Sequence, residues 1–137
     1  MSLGPPRDQF IVYVQDQQAA TQFFEQLLGR EPRLDVPGMT EFVLPGGAVL
    51  GLMPEAGIQR LLGEALPDPA AAHGTPRAEL YLLVKDPQAY QQRALQAGAR
   101  ELSPLTPRDW GHEVAYALGP DALVLAFARA SDGCADG

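Results

Sequence analysis

The run Phe10-Ile11-Val12-Tyr13-Val14, apolar throughout and bounded by Gln9 on one side and Gln15-Asp16 on the other, is the pattern of an apolar β-strand rich in β-branched and aromatic residues. The period then changes. Ala20, Phe24, Leu27 and Leu28 recur at helical spacing, Asp16 supplies the short carboxylate of a helix N-cap, and Gly29 is a good stop. Strands are expected next over 30–36, 39–44 and 48–53, separated by the Pro37-Gly38 and Gly46-Gly47 turns. The order is β-α-β-β-β.

That order then begins again. Seventy residues on, Glu79-Leu80-Tyr81-Leu82-Leu83-Val84-Lys85-Asp86 repeats the strand and its capping carboxylate, with Pro87 at the first helical position. Tyr90, Ala94 and Ala97 form the inner face of the helix and Gly98 ends it. A weak strand over 101–105 precedes a turn at Thr106-Pro107-Arg108-Asp109, and strands follow over 112–118 and 123–128. A second echo pairs Pro45-Gly46-Gly47-Ala48-Val49-Leu50-Gly51-Leu52 with Pro120-Asp121-Ala122-Leu123-Val124-Leu125-Ala126-Phe127. Two echoes at nearly one offset predict a tandem duplication. The fold class is α+β, in one domain spanning 1–137: a module over about 8–54, a linker over 55–77, a module over about 78–129 and a flexible tail over 130–137. The linker carries a short helix around Ile58-Gln59-Arg60-Leu61-Leu62 and then a Pro/Gly/Ala-rich stretch.

Composition narrows the function classes. The 46% hydrophobic content supports a folded globule. Ten basic against seventeen acidic residues give a net charge of −7, with the arginines scattered along the chain. No basic stripe is available for phosphates, which argues against nucleic acid and anionic membranes. A neutral or cationic ligand suits this field, although the charge also serves solubility alone. No apolar run is long enough for a membrane span, the N-terminus has no signal-peptide pattern, and the single Cys134 has no partner thiol, so a cytoplasmic location is expected. There is no phosphate loop, nucleophile elbow or dinucleotide fingerprint.

The strands ending in Val14-Gln15-Asp16 and Val84-Lys85-Asp86, the Gly119-Pro120-Asp121-Ala122 turn and the strand Leu123-Val124-Leu125-Ala126-Phe127 resemble the vicinal oxygen chelate superfamily. That superfamily holds glyoxalases, bleomycin-resistance proteins and extradiol dioxygenases, and its corresponding turn reads Asp-Pro-Asp-Gly. The resemblance covers roughly 8–54 and 78–129. It implies tandem βαβββ modules whose curved mixed sheets surround a ligand cavity, and a homodimer. In the metal-using members, ligands come from the head of the first strand and from the last strand of each module. The matching positions here are Gln9, Gly51, Glu79 and Ala126. Gly51 and Ala126 carry no donor, and a divalent ion needs several converging ones. The expectation is therefore a metal-free binding protein for a small aromatic or cationic compound, an antibiotic among the candidates. The competing expectation is a lyase, isomerase or dioxygenase with a divalent metal and Glu79 as ligand or base, with His112, Glu113 or Glu41 filling the gaps.

Strand alternation puts Gln9 and Tyr13 on one face, and Glu79 and Tyr81 on the equivalent face of the second module. An acid on the concave side at the head of an apolar strand is expected to be partly desolvated, suiting a base or a ligand anchor. Glu79 reads equally well as a strand-end carboxylate in solvent or paired with Arg77. Trp110, in the loop before His112, reads either as a stacking platform for a planar ligand or as a packing residue. His112 and Tyr116 alternate along the same strand and complete the candidate ligand-binding set.

Overall fold

The computed structural model of the chain describes residues 7–131. The end of the expected tail, with Cys134, lies outside them. Strand β1 (Gln9–Val14) runs into helix α1 (Gln17–Leu28), where the Asp16 side chain accepts the Ala19 N–H and Gly29 closes the helix in the left-handed region. Strands β2 (Leu34–Val36), β3 (Met39–Val43) and β4 (Val49–Pro54) follow, then helix α2 (Glu55–Leu62). The second copy has strand β5 (Glu79–Leu83), helix α3 (Pro87–Gln96) and strands β6 (Arg100–Pro107), β7 (His112–Leu118) and β8 (Val124–Ala130). Asp86 caps α3 by accepting from Ala89 N–H, with Pro87 at its first turn. The chain divides into two compact units between Thr75 and Pro76.

The predicted duplication is present at the level of topology. One sheet has the order β1-β4-β3-β2 and the other β5-β8-β7-β6. In each, the first strand runs parallel to the last and the remaining pairs are antiparallel. Helix α1 covers one face of the first sheet. Phe24 meets Phe42 with ring centroids 6.2 Å apart, and Thr21 donates to the Thr40 hydroxyl at 3.0 Å. Phe24, Leu27, Phe42, Leu50 and Leu52 are fully buried there. Each such side chain contributes roughly 1.5–3 kcal/mol relative to exposure. Helix α3 covers one face of the second sheet, bringing Tyr90 to 6.0 Å from Phe127. Strand alternation thus leaves Gln9 and Tyr13 on the helix-free face of one sheet, and Glu79, Tyr81, His112 and Tyr116 on that of the other.

Several elements differ from the sequence pattern. The strand expected over 30–36 begins only at Leu34, because Pro32 has no N–H for a ladder, although the Arg33 N–H still donates to Glu41 O at 2.7 Å. Helix α2 starts at Glu55, and its Ile58 is buried, so this part of the expected linker is packed structure. Strand β6 runs through Thr106 and Pro107, which pair with Val114 and Glu113; the turn falls later, where Gly111 takes φ +88°. The register of β6 shifts on both sides of Ser103, and the buried Gln91 of α3 donates to Ser103 O and Tyr116 O at 2.9 and 3.1 Å. These bonds answer carbonyls that an irregular ladder leaves open. Strand β8 continues to Ala130, two residues past the expected end. No helix of the described residues is long and apolar enough to cross a membrane.

Candidate functional site

On the helix-free face of the first sheet, Gly51 lies between Ile11 and Glu41 in register. A Cβ at Gly51 would sit 2.7 Å from Gln9 Oε1, 3.0 Å from Ile11 Cγ1 and 3.4 Å from Met39 Sδ. The missing side chain lets the Gln9 amide lie across the strand, where its Nε2 donates to Glu41 Oε2 at 3.2 Å. Arg33 Nε donates to the other oxygen, Glu41 Oε1, at 2.8 Å. Glu41 is buried to 7% exposure, and Gln9 Oε1 is buried with no hydrogen-bond partner. Tyr13 is half-buried farther along the same face, opposite Met53.

The second sheet carries more of the candidate chemistry. Trp110 Nε1–H donates to the Tyr81 hydroxyl at 2.9 Å, and that hydroxyl lies 2.6 Å from His112 Nδ1. The assignment that satisfies every atom has Tyr81 accepting from Trp110 and donating its one proton to Nδ1. Neutral His112 then carries its proton on Nε2. The Tyr81 and His112 rings are 5.9 Å apart and tilted by 35°. Tyr81 and Tyr116 both pack against buried Val114, Ala126 and Ala128. The small alanines of β8 make room for the two aromatic rings on the flanking strands β5 and β7, since Ala126 is in register with both tyrosines.

Tyr116 adjoins two opposite charges. Burial raises its hydroxyl pKa above the ordinary 10.0, the Glu79 charge raises it further, Arg108 offsets part of this and Tyr81 adds a little. The Arg108 guanidinium carbon stands 5.1 Å from the centroid of the Tyr116 ring, and its Nη2 donates to Ser103 Oγ at 2.7 Å and to Val114 O at 2.9 Å. Its Nε is buried without an acceptor. Glu79 is exposed at the head of β5 rather than desolvated. Tyr81, Trp110 and His112 are thus joined by hydrogen bonds, and Tyr116 shares the packing cluster of Tyr81. Gln9 and Tyr13 belong to the other unit. Sequence reasoning passed over Arg108 and Arg33, because only the folded hairpin and the β3 register bring them to these faces.

The four family metal positions do not fit a divalent ion. Gln9 has its amide N–H engaged by Glu41 and its oxygen packed into the space above Gly51. Ala126 is fully buried and donor-free. Glu41 has both oxygens engaged, and Glu113 pairs with Arg129 at 2.8 Å on the face opposite His112. Among the described residues no three His, Cys, Asp or Glu side chains are grouped to hold a metal.

A family model described as the Glyoxalase/Bleomycin resistance protein/Dioxygenase superfamily matches residues 7–127. Among solved structures, a glyoxalase/bleomycin resistance protein/dioxygenase from Nocardioides is 20% identical, with a TM-score of 0.74 over 97% of this chain and 88% of that one. A family enzyme from Burkholderia phytofirmans PsJN is 15% identical, with a TM-score of 0.71 over 90% and 97% of the two chains. A protein of Agrobacterium tumefaciens solved by NMR is 25% identical, with a TM-score of 0.69 over 93% and 98%. A comparison with curated proteins finds no match.

Proposed function

Because this chain belongs to the glyoxalase/bleomycin resistance protein/dioxygenase superfamily, matched over residues 7–127, we propose that it is a small-molecule binding protein. Its ligand is a planar aromatic compound held against the Tyr81 face of the second sheet, with no metal at the four family positions. The observation that carries this reading is the chain of hydrogen bonds Trp110–Tyr81–His112 beside Tyr116. It holds aromatic surfaces in fixed orientations, and Trp110 remains 56% exposed. Rigid aromatic groups with polar tips give contact area at low entropic cost. Glu79, exposed at the edge of this face, is the remaining candidate anchor. The family's bleomycin-resistance members make aromatic antibiotics a natural class to test.

Trp110 is the sole tryptophan, so its fluorescence reports on the site directly. Saturable quenching by planar aromatic compounds, weakened in Tyr81→Ala, is the expected result. A flat response across a broad panel would sink the proposal. Separate loading with Zn²⁺, Ni²⁺, Mn²⁺ or Fe²⁺ followed by dialysis tests the metal-free part. About one retained ion per chain would instead favour a metal-dependent lyase, isomerase or dioxygenase. A homodimer is part of the same proposal, since Phe10 on the edge strand β1 is 82% exposed. Light scattering that gives a monomer at working concentration would overturn that part.

A further inference from the structure

Resting on that reading, we infer that the ligand is an anion: an aromatic compound bearing a carboxylate, received by the Arg108 guanidinium on the sheet face that also carries His112 and Tyr116. Arg33 and Arg129 each have a carboxylate partner, at 2.8 Å in both cases. Arg108 has none among the described residues, although it is partly buried and stacked on Tyr116. Its hydrogen bonds go to a hydroxyl and a carbonyl, which orient the guanidinium without neutralising it. Nη2 is committed and Nε is buried, so Nη1 is the nitrogen left for a ligand, and a partly desolvated cation held in place without a counter-charge is a prepared receptor for an oxyanion.

The neighbouring groups agree in sign. His112 has Nδ1 committed to Tyr81, so the nitrogen left for a ligand is Nε2, a donor in both the neutral and the protonated ring. The Tyr116 hydroxyl has no hydrogen bond among the described residues, and burial together with Glu79 keeps it protonated, so it too is a donor. Tyr81 has its proton and one lone pair engaged. Among the described residues the carboxylate bearing on Tyr116 is Glu79, which is exposed and therefore screened by solvent. The face thus offers a ligand mainly N–H and O–H groups, against the −7 charge of the chain as a whole. A site built of donors discriminates by leaving them unanswered when the ligand brings no acceptor.

The test compares three ligands of one ring and near-equal size by calorimetry: 2-naphthoate, 2-naphthylmethanol and 2-naphthylmethylammonium. The expected order is naphthoate first, about tenfold or more ahead of the alcohol, with the ammonium weakest. Arg108→Gln should remove most of the naphthoate advantage while leaving the alcohol within about twofold. If that variant does not fold, the wild-type salt dependence decides, because naphthoate binding should weaken with salt and alcohol binding should not. Binding of the ammonium as tightly as the naphthoate, or naphthoate affinity indifferent to Arg108 and to salt, overturns the inference. Equal binding of all three keeps the aromatic reading and removes the anionic one. Failure of all three to bind removes both.

Discussion

The hydroxyl of Tyr81 and Nδ1 of His112 are 2.6 Å apart, a short bond between two strands that are not neighbours in their sheet. Strand β8 lies between them, and its small side chains let the longer ones meet above it. Because Trp110 also donates to this hydroxyl, Tyr81 sets the tautomer of His112. Tyr81→Phe should cost about 1 kcal/mol of stability, as expected for hydrogen bonds of this kind. It should also turn a single His112 tautomer, protonated at Nε2, into a mixture. Nitrogen chemical shifts of the imidazole at neutral or higher pH read this directly. An unchanged tautomer in the variant would refute the relay.

The close approach at Gly51 makes a second prediction. Gly51→Ala puts a methyl group 2.7 Å from Gln9 Oε1, so the amide must swing away and release Glu41. The expected cost is about 1–3 kcal/mol by denaturant unfolding. In a Gln9→Ala background the same substitution should cost less, with a coupling of about 1 kcal/mol. Strict additivity would show that Gly51 does not serve to seat Gln9.

Alkaline pH should expose Tyr116. Its folded-state pKa is raised above the ordinary 10.0, mainly by burial and then by Glu79. The native state therefore holds this proton more tightly than the unfolded chain. The resulting stabilisation is fully present below pH 10 and is lost as pH rises through the folded pKa. Unfolding followed above pH 10 should show wild type losing stability faster than Tyr116→Phe. Parallel curves would contradict the shift.

A fourth prediction concerns the turn before β8. Asp121 and Ala122 hold φ of +61° and +57°, the left-handed region where an L side chain is strained. The related superfamily turn has glycine at the second of these positions. Ala122→Gly should raise stability by about 0.5–1 kcal/mol, because relief of strain outweighs the added freedom of the unfolded chain. A lower thermal midpoint would mean that the Ala122 methyl group contributes packing that outweighs its backbone strain.

The sequence and the structure agree where information is local. Asp16 and Asp86 announce their helices through a carboxylate and its own next turn, and Gly29 ends α1 in the left-handed conformation that glycine takes without strain. The echo of whole modules made the repeated β-α-β-β-β order legible too, since two copies of one pattern must solve one packing problem. What stayed hidden depends on residues brought together across strands. Glu41 shows no sign of its partners in its own neighbourhood; the β3–β4 register and the absent side chain of Gly51 bring Gln9 to it. Arg108 read as a turn residue because β6 was expected to stop early, and its stacking on Tyr116 follows from two register shifts that leave no simple periodic signature. The candidate tyrosines were found by alternation alone. Their hydrogen-bonded order was not.

The parallel pairing of β1 with β4 also sets an order of assembly. Gln9 pairs with Val49, forty residues later, and Glu79 with Val124, forty-five residues later. Every hairpin in a module spans far less chain. During synthesis the first strand of each copy emerges long before its partner exists, and closing so long a loop carries an entropic cost that local turns escape. Helix α1 and the β2–β3–β4 meander are therefore expected to form while β1 waits, its apolar Phe10, Ile11 and Val12 unpaired. A nascent chain halted just before Val49 should be captured by chaperones through this strand, and one extended beyond Pro54 should escape.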